Sequence, residues 1–300
     1  MKTLKISIPL FIVFLSVVSF QCTKQSFQSN NEDVGVEELL QKGEPIFIKD
    51  LIIAKDLNIS ELVAKAKMGG GREYAICGSV LVFENCTFEG DLTGDFRERN
   101  NHTTTSFLHP VRFIDCDFKR KVDFSECEFR SAVSFFRCTF YEEPSFQGAS
   151  FRGKVAMREN HFFENTMFQD AVFHESVNFS KSVFHKDISF QNVHFNDRLL
   201  MHSIKILGYG DFTLMDCDRD FLFNYAECPG KLVFDHSFFR KRSEFISFNG
   251  NDLSMRSCDF YALKMDKSVL TGYLDLESSR FDKGDFQREN IEYEKIIGIN

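Results

Sequence analysis

The chain has 300 residues, of which 37 are Phe and none is Trp, and it carries a formal net charge of −8. Acidic and basic residues are interspersed, which argues against nucleic-acid binding because that function needs a basic face. The bias towards Phe indicates that one residue type occupies the same structural position many times, so internal repeats are expected.

The first segment, residues 1–21, is predicted to be a signal peptide that directs export. Lys2 and Lys5 precede an apolar run at residues 6–20. This run has the length of a secretory signal and is too short and too close to the N-terminus to be a membrane span. The polar residues 22–35 that follow are predicted to form a flexible tether.

Cys22 stands directly after this segment. The arrangement resembles the signal peptide of bacterial lipoproteins, in which such a cysteine becomes the lipidated first residue. The resemblance implies a protein attached to the bacterial cell envelope through a lipid on Cys22. Gln21 departs from the pattern, because that position is usually small. The alternative is cleavage after Ser19, which would leave a freely secreted protein.

The solenoid domain is predicted to span residues 36–300. Its start, residues 36–42, reads as a short helical cap with Glu37 and Glu38 in the first turn, where acidic side chains favour the helix dipole. Residues 89–112 interrupt the repeat described below with polar and basic side chains. They are predicted to leave the rod as an inserted loop, and insertions on solenoids often lie on a binding face.

An 11-residue register of large apolar residues dominates the chain from Phe113 onwards. It comprises Phe113, Phe124, Phe135, Phe146, Met157, Phe168, Phe179, Phe190, Met201, Phe212, Phe223, Phe234 and Phe245. A second register, five residues later, begins at Phe118 and is also mostly Phe. A Val or a small residue precedes most of these positions by two, which is the inward, outward, inward alternation of a short strand. Steps of 5 and 6 do not fit a helix, so short extended sides joined by corners are expected.

Segments such as "FENCTF", "FIDCDF", "FSECEF", "FQGASF" and "FQDAVF" carry this pattern. They resemble the pentapeptide-repeat family over roughly residues 44–290. The resemblance implies an all-β fold, the right-handed quadrilateral β-helix. Four sides in steps of 5 and 6 then make one repeating coil of about 22 residues. The extra residue in every second unit is predicted to widen the corner there, and after Phe245 the spacing approaches the strict five-residue form.

In such a coil Phe124 and Phe146 are expected to stack, because adjacent strands lie about 4.8 Å apart and aromatic stacking occurs at about 4.5–7 Å. Cys116 and Cys138 also fall one coil apart. They are interpreted as core thiols that fill small inward positions. A disulfide is the alternative in an exported protein, but parallel Cβ atoms at about 4.8 Å are farther apart than the roughly 3.8 Å that a bridge prefers.

Two surface strips emerge when residues one coil apart are aligned. The first contains Lys119, Tyr141, Phe163 and His185, and the second, opposite it, contains Arg130, Arg152 and His174. Exposed apolar clusters mark contact sites, so the first strip is a candidate binding surface. The alternative, which the pattern favours, is that these are corner residues that cover the edge of the core.

No catalytic motif, cofactor-binding motif or metal-binding motif is present. The eight histidines are expected to be scattered over different sides, with His174 and His185 on opposite faces. The nearest approach to a calcium loop begins at Asp216, but Phe221 occupies the position where that loop requires Gly. We therefore expect no enzyme, no cofactor and no bound metal.

The sequence favours a non-enzymatic, lipid-anchored envelope scaffold with an unidentified protein partner, a membrane contact through the lipid and no nucleic-acid partner. The alternative comes from the family resemblance: a DNA-mimicking protein that binds a DNA topoisomerase. Interspersed basic residues and the predicted export oppose that alternative. Residues 289–300, at the end of the rod, are expected to do one of two things. They close the last coil, or they pair with a second copy of the chain to form a homodimer.

Overall fold

The computed structural model describes residues 35–67, 73–98, 101–282 and 286–298. All of them belong to one compact unit, Gly35–Asn300. The predicted signal peptide, nearly all of the predicted tether and the predicted lipidation site Cys22 lie outside the described residues.

The chain forms a β-solenoid whose coils have four sides, and each side is a ladder of parallel strands. The first side is built from Ile46–Lys49, Leu81–Glu84, Val111–Ile114, Val133–Phe136, Val155–Arg158, Val177–Asn178, Leu199–Leu200, Phe221–Leu222 and Phe286–Glu289. The second side is built from Ile52–Ile53, Thr87–Phe88, Asp117–Phe118, Thr139–Phe140, His161–Phe162, Val183–Phe184, Lys205–Ile206, Glu227–Cys228 and Asn249–Gly250.

The third side is built from Leu57–Asn58, Leu92–Thr93, Val122–Asp123, Thr166–Met167, Ile188–Ser189, Gly210–Asp211, Leu232–Val233 and Leu253–Ser254. The fourth side is built from Glu73–Cys77, Asn101–Phe107, Glu128–Phe129, Ser150–Phe151, Val172–Phe173, His194–Phe195, Asp216–Cys217 and Arg280–Phe281. Longer strands near the C-terminal end run across a corner. Phe238–Ile246 and Asp259–Asp266 join the fourth side to the first, and Val269–Asp275 and Glu292–Ile297 join the second to the third.

Strand register gives the length of a coil. Successive partners in the ladder of the first side are Val111, Val133, Val155, Val177 and Leu199. The hydrogen bond from the Cys138 amide to the Asn160 side chain joins neighbouring coils over the same separation, 22 residues. Towards the C-terminus Asn249 pairs with Val269, so the coil there is two positions shorter and approaches the strict five-residue form. The predicted all-β solenoid and its predicted coil length are therefore confirmed.

Two kinds of corner alternate along the chain. In the five-residue units the backbone turns through a residue with a left-handed φ, such as Asp115 between Phe113 and Phe118. This conformation recurs at the equivalent corner of the following units, at Glu126, Arg137, Gly148, Glu159, Asp170, Lys181, Asn192, Ser203, Leu214, Tyr225 and His236. In the six-residue units, such as the fully described Phe118 to Phe124, no residue has a positive φ. The extra residue thus replaces a left-handed turn by a longer corner.

The interior consists of four aromatic columns, one for each side. Phe124 and Phe146 stack with ring centroids 6.0 Å apart and planes 24° apart, which confirms the predicted stacking. The other three columns contain pairs of the same kind: Phe113 with Phe135 at 4.9 Å, Phe118 with Phe140 at 4.8 Å, and Phe129 with Phe151 at 5.0 Å. Burial of each Phe contributes about 1.5–3 kcal/mol, so these columns can sustain a narrow rod.

The small inward positions hold the cysteines. All eight cysteines of the described residues are buried and none of them forms a disulfide. The Cys116 thiol donates to the Phe83 carbonyl at 3.5 Å, and the Cys138 thiol donates to the Phe113 carbonyl at 3.4 Å. The interpretation of Cys116 and Cys138 as core thiols is therefore confirmed.

The predicted inserted loop, residues 89–112, is organised differently from the expectation. Leu92–Thr93 lies in the third side, and Asp95–Glu98 pairs antiparallel with the start of Asn101–Phe107 to form a hairpin. The end of Asn101–Phe107 pairs parallel with Glu73–Cys77 and so belongs to the fourth side. The physical reason is the run "TTT" in this strand, because Thr is β-branched and suits a pleated sheet despite its polarity. Within residues 89–112 the hairpin is the part that departs from the coil, and upstream Ala64–Lys67 also pairs antiparallel, with Glu73–Cys77.

The described residues contain two helices, α1 (Val36–Lys42) and α2 (Ile59–Leu62). The first coincides with the predicted cap, with Glu37 and Glu38 in its first turn and Gly43 in a left-handed conformation at its C-terminal end. Val36 and Leu40 of α1 are buried, so this helix covers the beginning of the core. Neither helix has both the length and the hydropathy that a membrane crossing requires.

Candidate functional site

The first predicted strip forms one continuous column on the corner between the second and third sides. Each of its residues directly follows a buried residue of the second side. The Tyr141 amide donates to the Phe118 carbonyl at 3.0 Å, and the Phe163 amide donates to the Phe140 carbonyl at 3.0 Å. The His185 amide donates to the carbonyl of the preceding coil in the same way, at 2.8 Å. These bonds hold the strip residues in register from one coil to the next.

The side chains of the strip stack on one another. The Lys119 ammonium lies 3.8 Å from the centroid of the Tyr141 ring, a cation–π contact. The Tyr141 and Phe163 rings are 5.5 Å apart with 15° between planes, and the Phe163 and His185 rings are 4.4 Å apart with 10°. Leu207 continues the column on the next coil. We call Lys119, Tyr141, Phe163, His185 and Leu207 the outer ladder.

The outer ladder is accessible although its members cover each other. Tyr141 is 41% exposed, Phe163 is 38% exposed and Leu207 is 43% exposed. Because the stacked rings lie face to face, their faces are occupied and their edges meet the solvent. Ring edges carry a partial positive charge, so the ladder presents an apolar surface that favours contact with electron-rich groups.

His161 lies beside the outer ladder and contacts it. Its Nδ1 atom is 3.3 Å from His185 Nε2, and the two ring centroids are 5.7 Å apart. Burial lowers the pKa of His185, and the neighbouring His161 lowers it further. This pair was not predicted from the sequence, because the histidines were expected to be scattered over different sides. The sequence feature that could have indicated the pair is the separation of 24 residues between the two histidines, which is one coil plus two positions.

The second predicted strip, on the corner between the fourth and first sides, is an ion-pair network. Arg130 Nε donates to Glu128 at 2.8 Å, and Arg152 Nε donates to the same carboxylate at 2.5 Å. Burial raises the pKa of Glu128, but hydrogen bonds from Arg152, Arg130 and Ser106 outweigh it and hold the pKa below its ordinary value. His174 Nε2 lies 3.5 Å from the hydroxyl of a serine on the neighbouring coil. The two strips are on different corners, as predicted, and the second presents two arginines that share the carboxylate of Glu128.

Carboxylates elsewhere on the rod also meet arginines of the neighbouring coil. The bidentate pairs are Arg137 with Asp115, Arg240 with Asp216, and Arg280 with Asp259. In addition, two nitrogens of Arg256 donate to one oxygen of the buried Asp235. The sequence resembling a calcium loop is part of this system, since Arg240 contacts both Asp216 and Asp218 and Phe221 is buried. Within the described ranges, no group of three or more His, Cys, Asp or Glu is placed to hold a metal ion.

Comparison with known proteins agrees with this architecture. A family model described as pentapeptide repeats (9 copies) matches residues 113–159. That stretch lies within the regular coils and includes two members of the outer ladder, Lys119 and Tyr141. No curated protein and no solved structure matches the chain.

Proposed function

We propose that this protein is a non-enzymatic scaffold of the bacterial cell envelope, exported and anchored by a lipid on Cys22, that binds a protein partner through the outer ladder. The observation that carries the proposal is the column of stacked side chains from Lys119 to His185, which the exposed Leu207 follows on the next coil. The β-solenoid supplies a rigid support, because every coil is hydrogen-bonded to the next.

The chemistry of the outer ladder favours a protein partner. A sugar ring would stack on an aromatic face, but the faces of Tyr141 and Phe163 are already covered by their neighbours in the column. Exposed ring edges next to an aliphatic side chain and a lysine fit a protein surface that offers carbonyl oxygens and apolar groups.

Export and anchoring rest on the sequence of residues 1–22. They are tested by the mass of the N-terminal peptide from the membrane fraction, with Cys22→Ala as the comparison. An acylated Cys22 that is lost in the variant supports the anchor. An unmodified N-terminus near Phe20 would make the protein a secreted rod, and an intact Met1 in the cytoplasm would overturn export.

The alternative, DNA mimicry toward a topoisomerase, requires a continuous acidic face. The pairing of Asp115, Asp216, Asp235 and Asp259 with arginines weighs against such a face. A supercoiling assay with purified protein separates the two proposals. Inhibition at micromolar protein would favour the alternative, and its absence would remove it.

Partner binding is tested by photo-crosslinking from the outer ladder in cells. A photoreactive phenylalanine replaces Phe163, and the matched control carries it at Tyr225, which is 60% exposed on a different corner. We expect a discrete cross-linked protein from position 163 and none from position 225. Equal cross-linking at both positions, or none at 163, would contradict the proposal.

A further inference from the structure

The contact between His161 and His185 brings two imidazole nitrogens to the spacing found in a metal chelate. His161 Nδ1 and His185 Nε2 are 3.3 Å apart. Zinc binds imidazole nitrogens at about 2.0–2.1 Å in a tetrahedral arrangement, which separates two of its nitrogen ligands by about 3.3 Å. A hydrogen bond joins the same two atoms, and a rotation of each ring would direct both lone pairs at one ion.

We propose that His161 and His185 form a surface site that binds one zinc ion. His161 would coordinate through Nδ1 and His185 through Nε2, with the remaining two positions taken by water. Each ring must then carry its proton on its other nitrogen, Nε2 of His161 and Nδ1 of His185. Open positions on the ion would also accept a ligand from another molecule.

The fold holds both ligands in place before a metal arrives. His161 opens the strand His161–Phe162, and its amide donates to the Cys138 carbonyl at 2.9 Å. The His185 ring is packed against Phe163 at 4.4 Å with 10° between planes, which keeps the ring on this corner. The two histidine rings are nearly parallel, at 27°. Such positioning lowers the entropy that ordering the side chains would otherwise cost on binding.

Solvent can reach the pair. His161 is exposed and His185 is half-buried, so a hydrated ion can approach from the outside of the rod. Imidazole is a ligand that suits zinc, copper and nickel. Tetrahedral spacing favours zinc, since a square-planar or octahedral site would bring two adjacent nitrogens to about 2.8–2.9 Å for bonds of about 2.0–2.1 Å.

The test is calorimetric titration of the purified full-length protein with zinc chloride near neutral pH, for the native chain and for His161→Gln and His185→Gln. His236→Gln is the matched control, because His236 is an exposed histidine on another corner. We expect each variant of the pair to weaken zinc binding at this site by about tenfold or more. The control is expected to bind as the native chain does. Circular dichroism verifies that all four proteins are folded.

A second readout identifies the ligating atoms. Ring nitrogen NMR of the native chain is expected to show zinc-dependent shifts at Nδ1 of His161 and at Nε2 of His185. Zinc affinity that is unchanged in both variants, or a loss of affinity that is equal in the His236→Gln control, would overturn the proposal. Absence of zinc-dependent shifts at the two nitrogens would do the same and would leave the contact an imidazole hydrogen bond only.

Discussion

Phe162 and Phe184 lie one coil apart with ring centroids separated by 4.5 Å and planes 1° apart. Their chain neighbours Phe163 and His185 stack in the same way, at 4.4 Å and 10°. One coil repeat therefore builds two parallel ladders from adjacent residues, an inner one that is buried and an outer one that is exposed. The inner ladder holds the fold together, and the outer ladder is exposed to solvent.

This relationship predicts losses of stability of very different size for two neighbouring substitutions. Phe162→Ala is expected to lower the free energy of unfolding by about 3–5 kcal/mol, because it leaves a cavity between two stacked rings. Phe163→Ala is expected to lower it by less than about 1 kcal/mol, because the ring is partly exposed and its loss creates no cavity. Urea unfolding followed by circular dichroism measures both. Equal losses would show that the outer ladder is structural.

The left-handed corners predict a stabilising substitution. Leu214 has a φ of 60° and is 47% exposed, so it bears the steric cost of that conformation and gains little from burial. Leu214→Asn is expected to raise the free energy of unfolding by about 0.5–1 kcal/mol, because Asn tolerates this conformation better. Leu214→Val is the matched opposite and should destabilise, since a β-branched residue is strained there. Denaturant unfolding that ranks Val above Asn would refute this explanation.

A buried carboxylate predicts a pH dependence of stability. Burial alone raises the pKa of Asp235, but hydrogen bonds from Ser254 and Arg256 outweigh it and hold the pKa below the ordinary 3.8. A depressed pKa in the folded state stabilises the protein above the ordinary pKa, and this contribution is lost as pH falls through the lower value. Asp235→Asn should therefore cost about 1–3 kcal/mol at neutral pH.

The matching measurement is the free energy of unfolding of the native chain and of Asp235→Asn from neutral pH down to about pH 2. The difference between the two curves is expected to stay constant down to about the ordinary carboxyl pKa of 3.8 and to shrink below it. Curves that remain parallel over the whole range would show that the carboxylate contributes no pH-dependent stability.

The core thiols predict protection from alkylation. Cys258 is buried, its thiol donates to the Phe234 carbonyl at 2.9 Å, and burial raises its pKa to about 12. The thiolate is the reactive form, so iodoacetamide should label Cys258 only after unfolding. Peptide mass spectrometry across a urea series measures this. Tyr225→Cys supplies an accessible reference in the same protein, and labelling of Cys258 as fast as that reference under native conditions would contradict the expectation.

Much of the fold follows from a local pattern. The steps of 5 and 6 between Phe residues predict the short sides, the coil length and the stacking of Phe124 on Phe146, because each depends only on side-chain alternation and on the repeat. The hairpin within residues 89–112 was not predicted. Its pairing of Asp95–Glu98 with Asn101–Phe107 depends on contacts between strands, and its polar composition resembles that of a loop.

The amino-acid sequence alone indicates which residues face inward and which face outward, and it predicts that Lys119, Tyr141, Phe163 and His185 lie on one corner. The reason is that strand alternation and a constant coil length convert position in the chain directly into position on the rod. The stacking of these side chains and the contact of His161 with His185 are seen in the three-dimensional structure alone. Those contacts depend on the direction of side chains at a corner. His161 and His185 are also 24 residues apart, two more than one coil, so the repeat does not predict that they meet.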